Sequence, residues 1–246
     1  MSCPTQNLRA APRAARLATL LGALISGALV ACSGSVAAER AVAVPAPLSD
    51  APKQAGPPQT AVLAGGCFWG VQGVFEHLTG VKRVVAGYSG GDRSQAHYDI
   101  VGTGQTNHAE SVEITYDPAQ VSYGQILQVF FSVAHDPTQL NAQGPDRGYQ
   151  YRSSIFFADE AQQKIANVYI AQLNQSGIFP APIVTRVVAF KGFYPAEGYH
   201  QDFLLHNPTN AYIAYNDLPK IQNFHKLLPS LYQDTPVTLA PIVPGR

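Results

Sequence analysis

One of the three cysteines, Cys67, stands in a glycine-rich turn that reads Gly-Gly-Cys-Phe-Trp-Gly over residues 65–70. A short apolar run from Thr60 to Ala64 precedes the turn, and apolar residues at helical spacing come after it, which predicts a strand, a turn and a helix. The first N–H groups of a helix carry partial positive charge, so we expect this position to favour the thiolate over the thiol. The pattern indicates a nucleophilic or redox-active thiol, and the alternative is a small buried hydrophobic residue.

A carboxyl group, Glu110, falls on the apolar face of a strand predicted over residues 109–116. With a period of two, the other members of that face are Val112, Ile114 and Tyr116. Desolvation on this face would raise the pKa of Glu110 and keep the carboxyl protonated. A neutral carboxyl beside a thiolate is a candidate general acid, and the alternative is a strand-end side chain that bends out to solvent.

Two long polar loops, 89–108 and 136–149, are of the kind that usually carries function. Tyr88 ends the strand before the first loop, Asp146 lies in the second loop, and Tyr151 stands where the chain re-enters the sheet. These three side chains are candidates for polar groups near the thiol. The chain has 12 tyrosines, so any one of them is weak evidence by itself.

Other chemistries receive little support from the sequence. The seven histidines include no HExxH motif and no pair at four-residue spacing, so we expect no metal site. Glycines at 102 and 104 lack the third glycine of a dinucleotide fingerprint, and there is no phosphate-binding loop. With 16 basic and 16 acidic residues and no charge asymmetry, nothing indicates nucleic-acid binding. A pairing of Cys67 with a loop histidine, as in thiol hydrolases, stays open.

The elements that position these residues have the order β-α-β-β-α-β and then α-β. Strands are expected at 60–64, 81–88, 109–117, 151–157 and 183–190, and helices at 67–79, from Ser122 to about His135, and from Asp159 to about Gly177. This is the order of the split βαβ, or ferredoxin-like, arrangement. We therefore predict an α/β (α+β) two-layer sandwich, in which helices cover a mixed sheet and long loops converge over the Cys67 turn.

The two ends of the chain differ from its middle. Residues 1–31 have three arginines and no acid before an apolar stretch, which predicts a signal peptide. The stretch ends in Leu-Val-Ala-Cys, which resembles the lipobox of bacterial lipoproteins and marks Cys32 for lipidation; cleavage after Ala-Ala at 37–38 is the alternative. We predict a flexible tether over residues 32–58, the folded domain over 59–228 and an irregular tail over 229–246.

The Cys67 turn resembles the signature of the peptide methionine sulfoxide reductase A family. Further blocks agree with that family in the same order: 86–91 (AGYSGG), 107–110 (NHAE), 135–137 (HDP), 146–153 (DRGYQYRS) and 199–201 (YHQ). The resemblance runs from about residue 60 to residue 210, essentially the whole folded domain. It implies that 59–228 is a catalytic domain that reduces methionine sulfoxide.

The resemblance also implies roles for residues of the motifs. Cys67 would attack the sulfoxide sulfur, releasing methionine and leaving a sulfenic acid. Glu110 would donate a proton to the sulfoxide oxygen, while Tyr88 and Tyr151 would form hydrogen bonds with that oxygen.

Three further residues complete the implied site. Phe68 and Trp69 would form an apolar pocket for the methyl group on the sulfur, and Asp146 matches an aspartate that assists the site. The implied substrate is the S epimer of methionine sulfoxide, free or in oxidised proteins, with no bound cofactor and no metal.

The chain departs from many members of the family because no cysteine comes after Cys67, so no resolving cysteine is available. An external thiol must then reduce the sulfenic acid: a thioredoxin-like protein, a glutaredoxin-type donor or a small thiol. We expect a monomer in the bacterial cell envelope or periplasm, where it repairs oxidised proteins. A lipid on Cys32 would anchor it to a membrane, and Ser33 after that cysteine favours the outer membrane.

Two alternatives to the reductase stay open on sequence. A thiol hydrolase or peroxidase could use Cys67, and a peroxidase would consume peroxide without any sulfoxide. A lipoprotein that binds oxidised methionyl segments without turnover is the non-enzymatic alternative.

Overall fold

The computed structural model describes residues 41–239, so the predicted signal peptide (1–31) and the lipidation site at Cys32 lie outside the described residues. Its strands are β1 (Gln59–Gly65), β2 (Val81–Ser89), β3 (Ala109–Tyr116), β4 (Ala142–Gln143), β5 (Asp146–Arg147), β6 (Ser153–Phe157), β7 (Arg186–Ala189) and β8 (Phe193–Pro195). Its helices are α1 (Phe68–Glu76), α2 (Tyr98–Val101), α3 (Tyr123–Val129), α4 (Glu160–Ser176), α5 (Phe203–His206) and α6 (Leu218–Leu227). Within 41–239, no helix combines the length and apolar character needed to cross a membrane.

Six strands form one mixed sheet in the order β7-β6-β1-β3-β2-β8. Within the group β6-β1-β3-β2, each strand is antiparallel to the next, which is the arrangement of a split βαβ core. Strand β7 pairs parallel to β6, as expected when a helix, here α4, connects two strands. The predicted α/β two-layer architecture with a ferredoxin-like core is confirmed.

Local sequence explains how α3 begins. Ser122 accepts a hydrogen bond from the Gln125 N–H, and the Gln125 side chain accepts one from the Ser122 N–H, which is the predicted capping box. The helix expected to reach His135 consists of α3 and then a π-helical turn over Phe130–Ala134. That turn leaves His135 packed beside Gly65, where an added Cβ would meet the His135 side chain.

The main hydrophobic core lies between the sheet and helices α1, α3, α4 and α6. Strands β1 and β3 contribute Leu63 and Ile114, and α1 contributes Val74 and Phe75, all fully buried. Burying such a side chain contributes roughly 1.5–3 kcal/mol, so packing holds α1 in place although it has only nine residues. This packing fixes the position of Cys67, which is the N-cap of α1.

Residues 41–54 pack against the domain, so the prediction of a flexible tether over 32–58 is wrong for this part. Val44 is buried in the main core. Three hydrogen bonds tie the segment down: Val42 N–H to Ser132 O (2.9 Å), Gly124 N–H to Asp50 Oδ1 (2.8 Å) and Tyr169 O–H to Pro45 O (2.7 Å). An extended segment rich in alanine and proline can satisfy its backbone on a neighbouring surface, which composition alone does not reveal.

The C-terminal segment, predicted to be irregular over 229–246, is described as far as Leu239. Its backbone meets the C-terminal end of α1: Gln233 N–H donates to His77 O at 2.8 Å, and Val237 N–H donates to Glu76 O at 2.9 Å. The last carbonyl groups of a helix have no partner within the helix. The segment supplies partners for them here.

Candidate active site

The turn between β1 and α1 carries Cys67 beneath the 136–149 loop. Gly66 has a φ of +92°, a conformation that glycine adopts readily, and an added Cβ would overlap the side chain of Gln143 in that loop. The glycine therefore allows the loop to close onto the turn. This contact brings the loop and the thiol to one place, as the sequence predicts.

A cavity of about 200 Å³ opens at the turn. Six of the predicted site residues line it: Cys67, Phe68, Trp69, Glu110, Asp146 and Tyr151. Two tyrosines that the sequence did not single out, Tyr98 and Tyr212, complete the lining. The cavity thus joins one thiol, two carboxyl groups, three phenols and two apolar rings.

Glu110 lies on the buried face of β3, with 3% of its surface exposed. Burial raises the pKa of Glu110 to about 8, and the nearby Asp146 also raises it. The Phe68 N–H, which donates a hydrogen bond to Glu110 Oε2 at 3.0 Å, acts in the opposite direction. The carboxyl is therefore mostly protonated at neutral pH. The side chain is buried, as predicted, and does not bend out to solvent, and its raised pKa favours the neutral carboxyl.

The thiol of Cys67 is also buried, with 8% of the residue exposed. Burial raises the pKa of Cys67 well above its ordinary range, and Glu110 and Asp217 raise it further, while the Trp69 N–H lowers it. The helix N-terminus lowers the pKa of Cys67, as predicted, but burial raises it by more, so the thiol form is favoured at neutral pH. Cys67 and Glu110 both hold protons at neutral pH.

Tyr88 does not line the cavity, so the prediction that its hydroxyl reaches the substrate oxygen is wrong. Its hydroxyl donates to Glu197 Oε2 at 2.9 Å, and its ring packs against Phe68 with 5.9 Å between ring centroids. Tyr98, in α2, occupies the wall where Tyr88 was expected. It belongs to the 89–108 loop, predicted to carry function, but nothing in the adjacent sequence distinguishes it from the other tyrosines.

Glu197 connects two walls of the cavity. Its Oε1 accepts the backbone N–H of Tyr98 at 3.0 Å, and its Oε2 lies 4.0 Å from His200 Nε2. His200 Nδ1 accepts the indole N–H of Trp69 at 3.1 Å, so a neutral His200 carries its proton on Nε2, facing Glu197. One carboxylate thereby helps to orient both Tyr98 and Trp69.

Tyr212 fixes the opposite wall. Its hydroxyl donates to Asp146 Oδ2 at 2.5 Å, and its ring stands edge-on to Trp69 with 6.0 Å between centroids. Trp69 also stacks on Phe203 at 3.9 Å. Burial raises the pKa of Asp146 and the bond from Tyr212 opposes that rise. The predicted residues Asp146 and Trp69 are therefore held by aromatic partners from the C-terminal part of the chain.

Comparison with known proteins identifies the family. Residues 59–230 match the family model described as peptide methionine sulfoxide reductase. The peptide methionine sulfoxide reductase MsrA 2 of Mesorhizobium japonicum is 62% identical over 179 residues, which cover 73% of this chain and 92% of that protein. This chain belongs to the peptide methionine sulfoxide reductase family.

Solved structures agree with this assignment. Mxr1 of Saccharomyces cerevisiae in its reduced form has a TM-score of 0.57 and 30% identity, covering 68% of this chain and 98% of the yeast chain. Methionine sulfoxide reductase A of Corynebacterium diphtheriae has a TM-score of 0.54 and 32% identity, covering 70% and 87% of the two chains. The chain is therefore an oxidoreductase that acts on methionine sulfoxide.

The lining of the reductase cavity also bears on the thiol-hydrolase alternative. No histidine is among the described residues that line the cavity, so the geometry does not support the thiol–histidine dyad of a hydrolase. Within 41–239, no cluster of histidine, cysteine and acidic side chains could hold a metal ion. Cys67 is the free cysteine of this part of the chain.

Proposed function

We propose that this reductase converts the S epimer of methionine sulfoxide, free or in proteins, to methionine through a sulfenic acid on Cys67. The observation that carries the proposal is the cavity shared by Cys67 and a buried Glu110 whose pKa is raised to about 8. A sulfoxide oxygen leaves readily only when it is protonated, so the reaction needs an acid that is still neutral at the working pH.

In the first half-reaction, Cys67 Sγ attacks the sulfoxide sulfur while Glu110 donates its proton to the sulfoxide oxygen. The bond from substrate sulfur to oxygen breaks, and the oxygen ends on Cys67 as a sulfenic acid. Methionine sulfur gains two electrons and Cys67 loses two. Glu110 recovers a proton from the thiol, so the carboxyl is neutral again at the end; the raised pKa of Glu110 favours this return of the proton.

The other cavity residues position the substrate. Burial raises the pKa of Tyr98 and of Tyr151, so both phenols keep their protons and can donate hydrogen bonds to the sulfoxide oxygen. Phe68 and Trp69 provide the apolar wall for the methyl group on the sulfur. Asp146 assists by fixing Tyr212 beside Trp69.

In the second half-reaction, an external thiol reduces Cys67. The thiol attacks the sulfenic sulfur and releases water, which leaves a mixed disulfide; a second thiol then releases Cys67 and carries away the disulfide. No cysteine comes after Cys67 in the sequence to perform this step internally. The donor is a thioredoxin-like protein, a glutaredoxin-type protein or a small thiol.

Epimer-resolved turnover tests the reaction. The protein is incubated with racemic methionine sulfoxide and dithiothreitol, and the two epimers and methionine are quantified by chiral chromatography. The S epimer should disappear and the R epimer remain, while Cys67→Ser should form no methionine. Equal consumption of both epimers contradicts the epimer assignment, and an active Cys67→Ser variant contradicts the mechanism.

The reductant is identified by supplying each donor class separately at equal thiol concentration. Turnover should require a donor. Comparison of the rates with a thioredoxin-like protein, a glutaredoxin-type protein and a small thiol then shows which class reduces Cys67 fastest. Sustained turnover without any thiol would contradict a one-cysteine cycle.

The proposed place of action is the bacterial cell envelope, where the enzyme repairs oxidised proteins while held to a membrane by a lipid on Cys32. The apolar stretch ending in Leu-Val-Ala-Cys at 29–32 supports this, and Ser33 supports the outer membrane. Cys32→Ser should move the protein from the membrane fraction to the soluble periplasmic fraction. Unchanged fractionation would contradict lipidation.

A further inference from the structure

A second cavity lies away from the catalytic cavity, on the face of the sheet opposite the main core, and the proposed reaction does not use it. It has a volume of about 180 Å³ and lies over β6 and the edge strand β7. Its floor is apolar and includes Phe156 and Val188. Three cations line it: Arg152, Arg186 and Lys191.

Arg152 is built into the wall, with only 6% of its surface exposed. Its Nη1 donates to the carbonyl oxygens of His108 and Tyr149 at 2.9 Å each, and its Nη2 donates to Asn107 O at 2.8 Å. A guanidinium has five N–H donors, so the Nε hydrogen and one Nη2 hydrogen lie outside these bonds. The three bonds hold the cation rigidly, and all three acceptors are neutral carbonyl oxygens.

Arg186 approaches the same place from β7. Its Nη1 donates to the hydroxyl of Tyr149 at 2.7 Å, and the guanidinium of Arg152 lies 4.0 Å from the centre of the Tyr149 ring. Burial lowers the pKa of Arg152, Tyr149 raises it, and Arg186 lowers it, as expected for two positive charges that lie close together. None of the described ion pairs gives either arginine, or Lys191, a carboxylate partner.

A buried hydroxyl independently points to a missing acceptor or donor at this cavity. Ser154, on β6, is 1% exposed and lines the cavity. Its hydroxyl oxygen has no hydrogen-bond partner among the described residues. A buried polar group without a partner costs free energy, so such groups are rare unless a ligand or water serves them.

We propose that this cavity binds a small organic carboxylate, whose charged end lies between Arg152 and Arg186 and whose short apolar body lies on Phe156 and Val188. Guanidinium groups match the two oxygens of a carboxylate in a planar, bidentate arrangement. The Ser154 hydroxyl donates to the same ligand. The cavity has room for a few carbon atoms beyond the carboxylate, which distinguishes this ligand class from compact inorganic anions.

Isovalerate is the probe that tests the site, with isovaleramide as its neutral isostere and sulfate as an anion without an apolar body. Binding is measured by isothermal titration calorimetry at constant ionic strength on the wild-type protein and on Arg186→Gln, Ser154→Ala and Arg83→Gln. Arg186 and the control Arg83 are both exposed arginines on strands of the same sheet, but Arg83 lies outside the cavity. The readout is binding, so it is independent of the proposed reductase mechanism.

Saturable binding of isovalerate, with no binding of isovaleramide, is the expected result. Arg186→Gln should weaken it at least about tenfold, as expected for the loss of a hydrogen bond to a charged group, and Arg83→Gln should leave it unchanged. Ser154→Ala should also weaken it without unfolding the protein. Equal affinity for sulfate, equal affinity of Arg186→Gln and wild type, or no saturable binding of isovalerate would each overturn the proposal.

A valine-terminated peptide distinguishes a polypeptide C-terminus from a free organic acid as the source of the carboxylate. The peptide is compared with its C-terminal amide on the same variants. Binding of the acid form alone, weakened by Arg186→Gln, assigns the site to a polypeptide terminus. Binding of isovalerate without binding of the peptide assigns it to a free acid, and both results support a carboxylate site.

Discussion

Replacing Glu110 by glutamine removes the proposed proton donor but keeps the shape of the side chain and an oxygen for the Phe68 N–H. Burial raises the pKa of Glu110 from its ordinary 4.5 to about 8, so the wild-type carboxyl is mostly protonated at pH 7 and mostly ionised at pH 9. We expect Glu110→Gln to slow methionine formation by a factor on the order of 10²–10⁴, the usual contribution of a general acid. The wild-type rate of the sulfoxide step should fall above pH 8.

The same carboxyl should give the folded protein a distinctive pH dependence of stability. The folded protein binds the Glu110 proton more tightly than the unfolded chain, so the unfolded chain ionises first as the pH rises. Stability from this group is fully present below pH 4.5 and is lost as the pH rises from 4.5 to about 8, with a total loss of about 5 kcal/mol. Glutamine cannot ionise, so the stability of Glu110→Gln relative to wild type should increase by about 3.5 kcal/mol between pH 5 and pH 8.

Urea unfolding followed by Trp69 fluorescence across pH 5 to 9 measures the stability of both proteins, and methionine formation is measured at the same pH values. Glu113→Gln is the matched control: it removes a half-buried carboxyl from the same strand, outside the cavity. The control should retain the wild-type rate. Parallel pH dependence of unfolding for wild type and Glu110→Gln, or equal rates of methionine formation, would refute the reasoning.

Two further predictions test the walls and the foundation of the site. Tyr98→Phe should lower kcat/KM for methionine sulfoxide at least about tenfold, because it removes a hydrogen bond to the sulfoxide oxygen. Tyr88→Phe should lower kcat/KM less. A larger effect of Tyr88→Phe would contradict the assignment of Tyr98, rather than Tyr88, to the cavity wall. Gly70→Ala should lower the free energy of unfolding by about 1–3 kcal/mol, because its Cβ would overlap the buried Asp217 carboxylate. Gly198→Ala, whose Cβ would meet open space, should have the melting temperature of the wild type. Equal melting temperatures for Gly70→Ala and wild type would contradict the close packing at Gly70.

Patterns that are local in sequence predict much of this fold. The period of two along β3 places Glu110 on the buried face, and the capping box at Ser122 gives the start of α3. Tyr98 could not be found in this way, because its position depends on Glu197, 99 residues further along the chain. Tyr212 likewise reaches Asp146 across 66 residues. Such contacts depend on tertiary packing, which periodicity does not encode.

The protonation state of Cys67 is a second property that local sequence did not predict. The helix N-terminus is visible in the sequence and favours the thiolate. Burial and the acidic neighbours Glu110 and Asp217 act in the opposite direction and are larger. Their effect depends on how the loops close over the turn, so it becomes visible only in the folded structure.

A single-turnover experiment tests the one-cysteine mechanism most directly. The protein is reduced, freed of thiol and mixed with excess S-epimer methionine sulfoxide; methionine is then quantified and the oxidation state of Cys67 is determined by dimedone trapping and mass spectrometry. The mechanism predicts about one methionine per protein, a sulfenic acid on Cys67, and further turnover only after thiol is restored. No methionine, several methionines per protein without thiol, or the same yield from Cys67→Ser would contradict it.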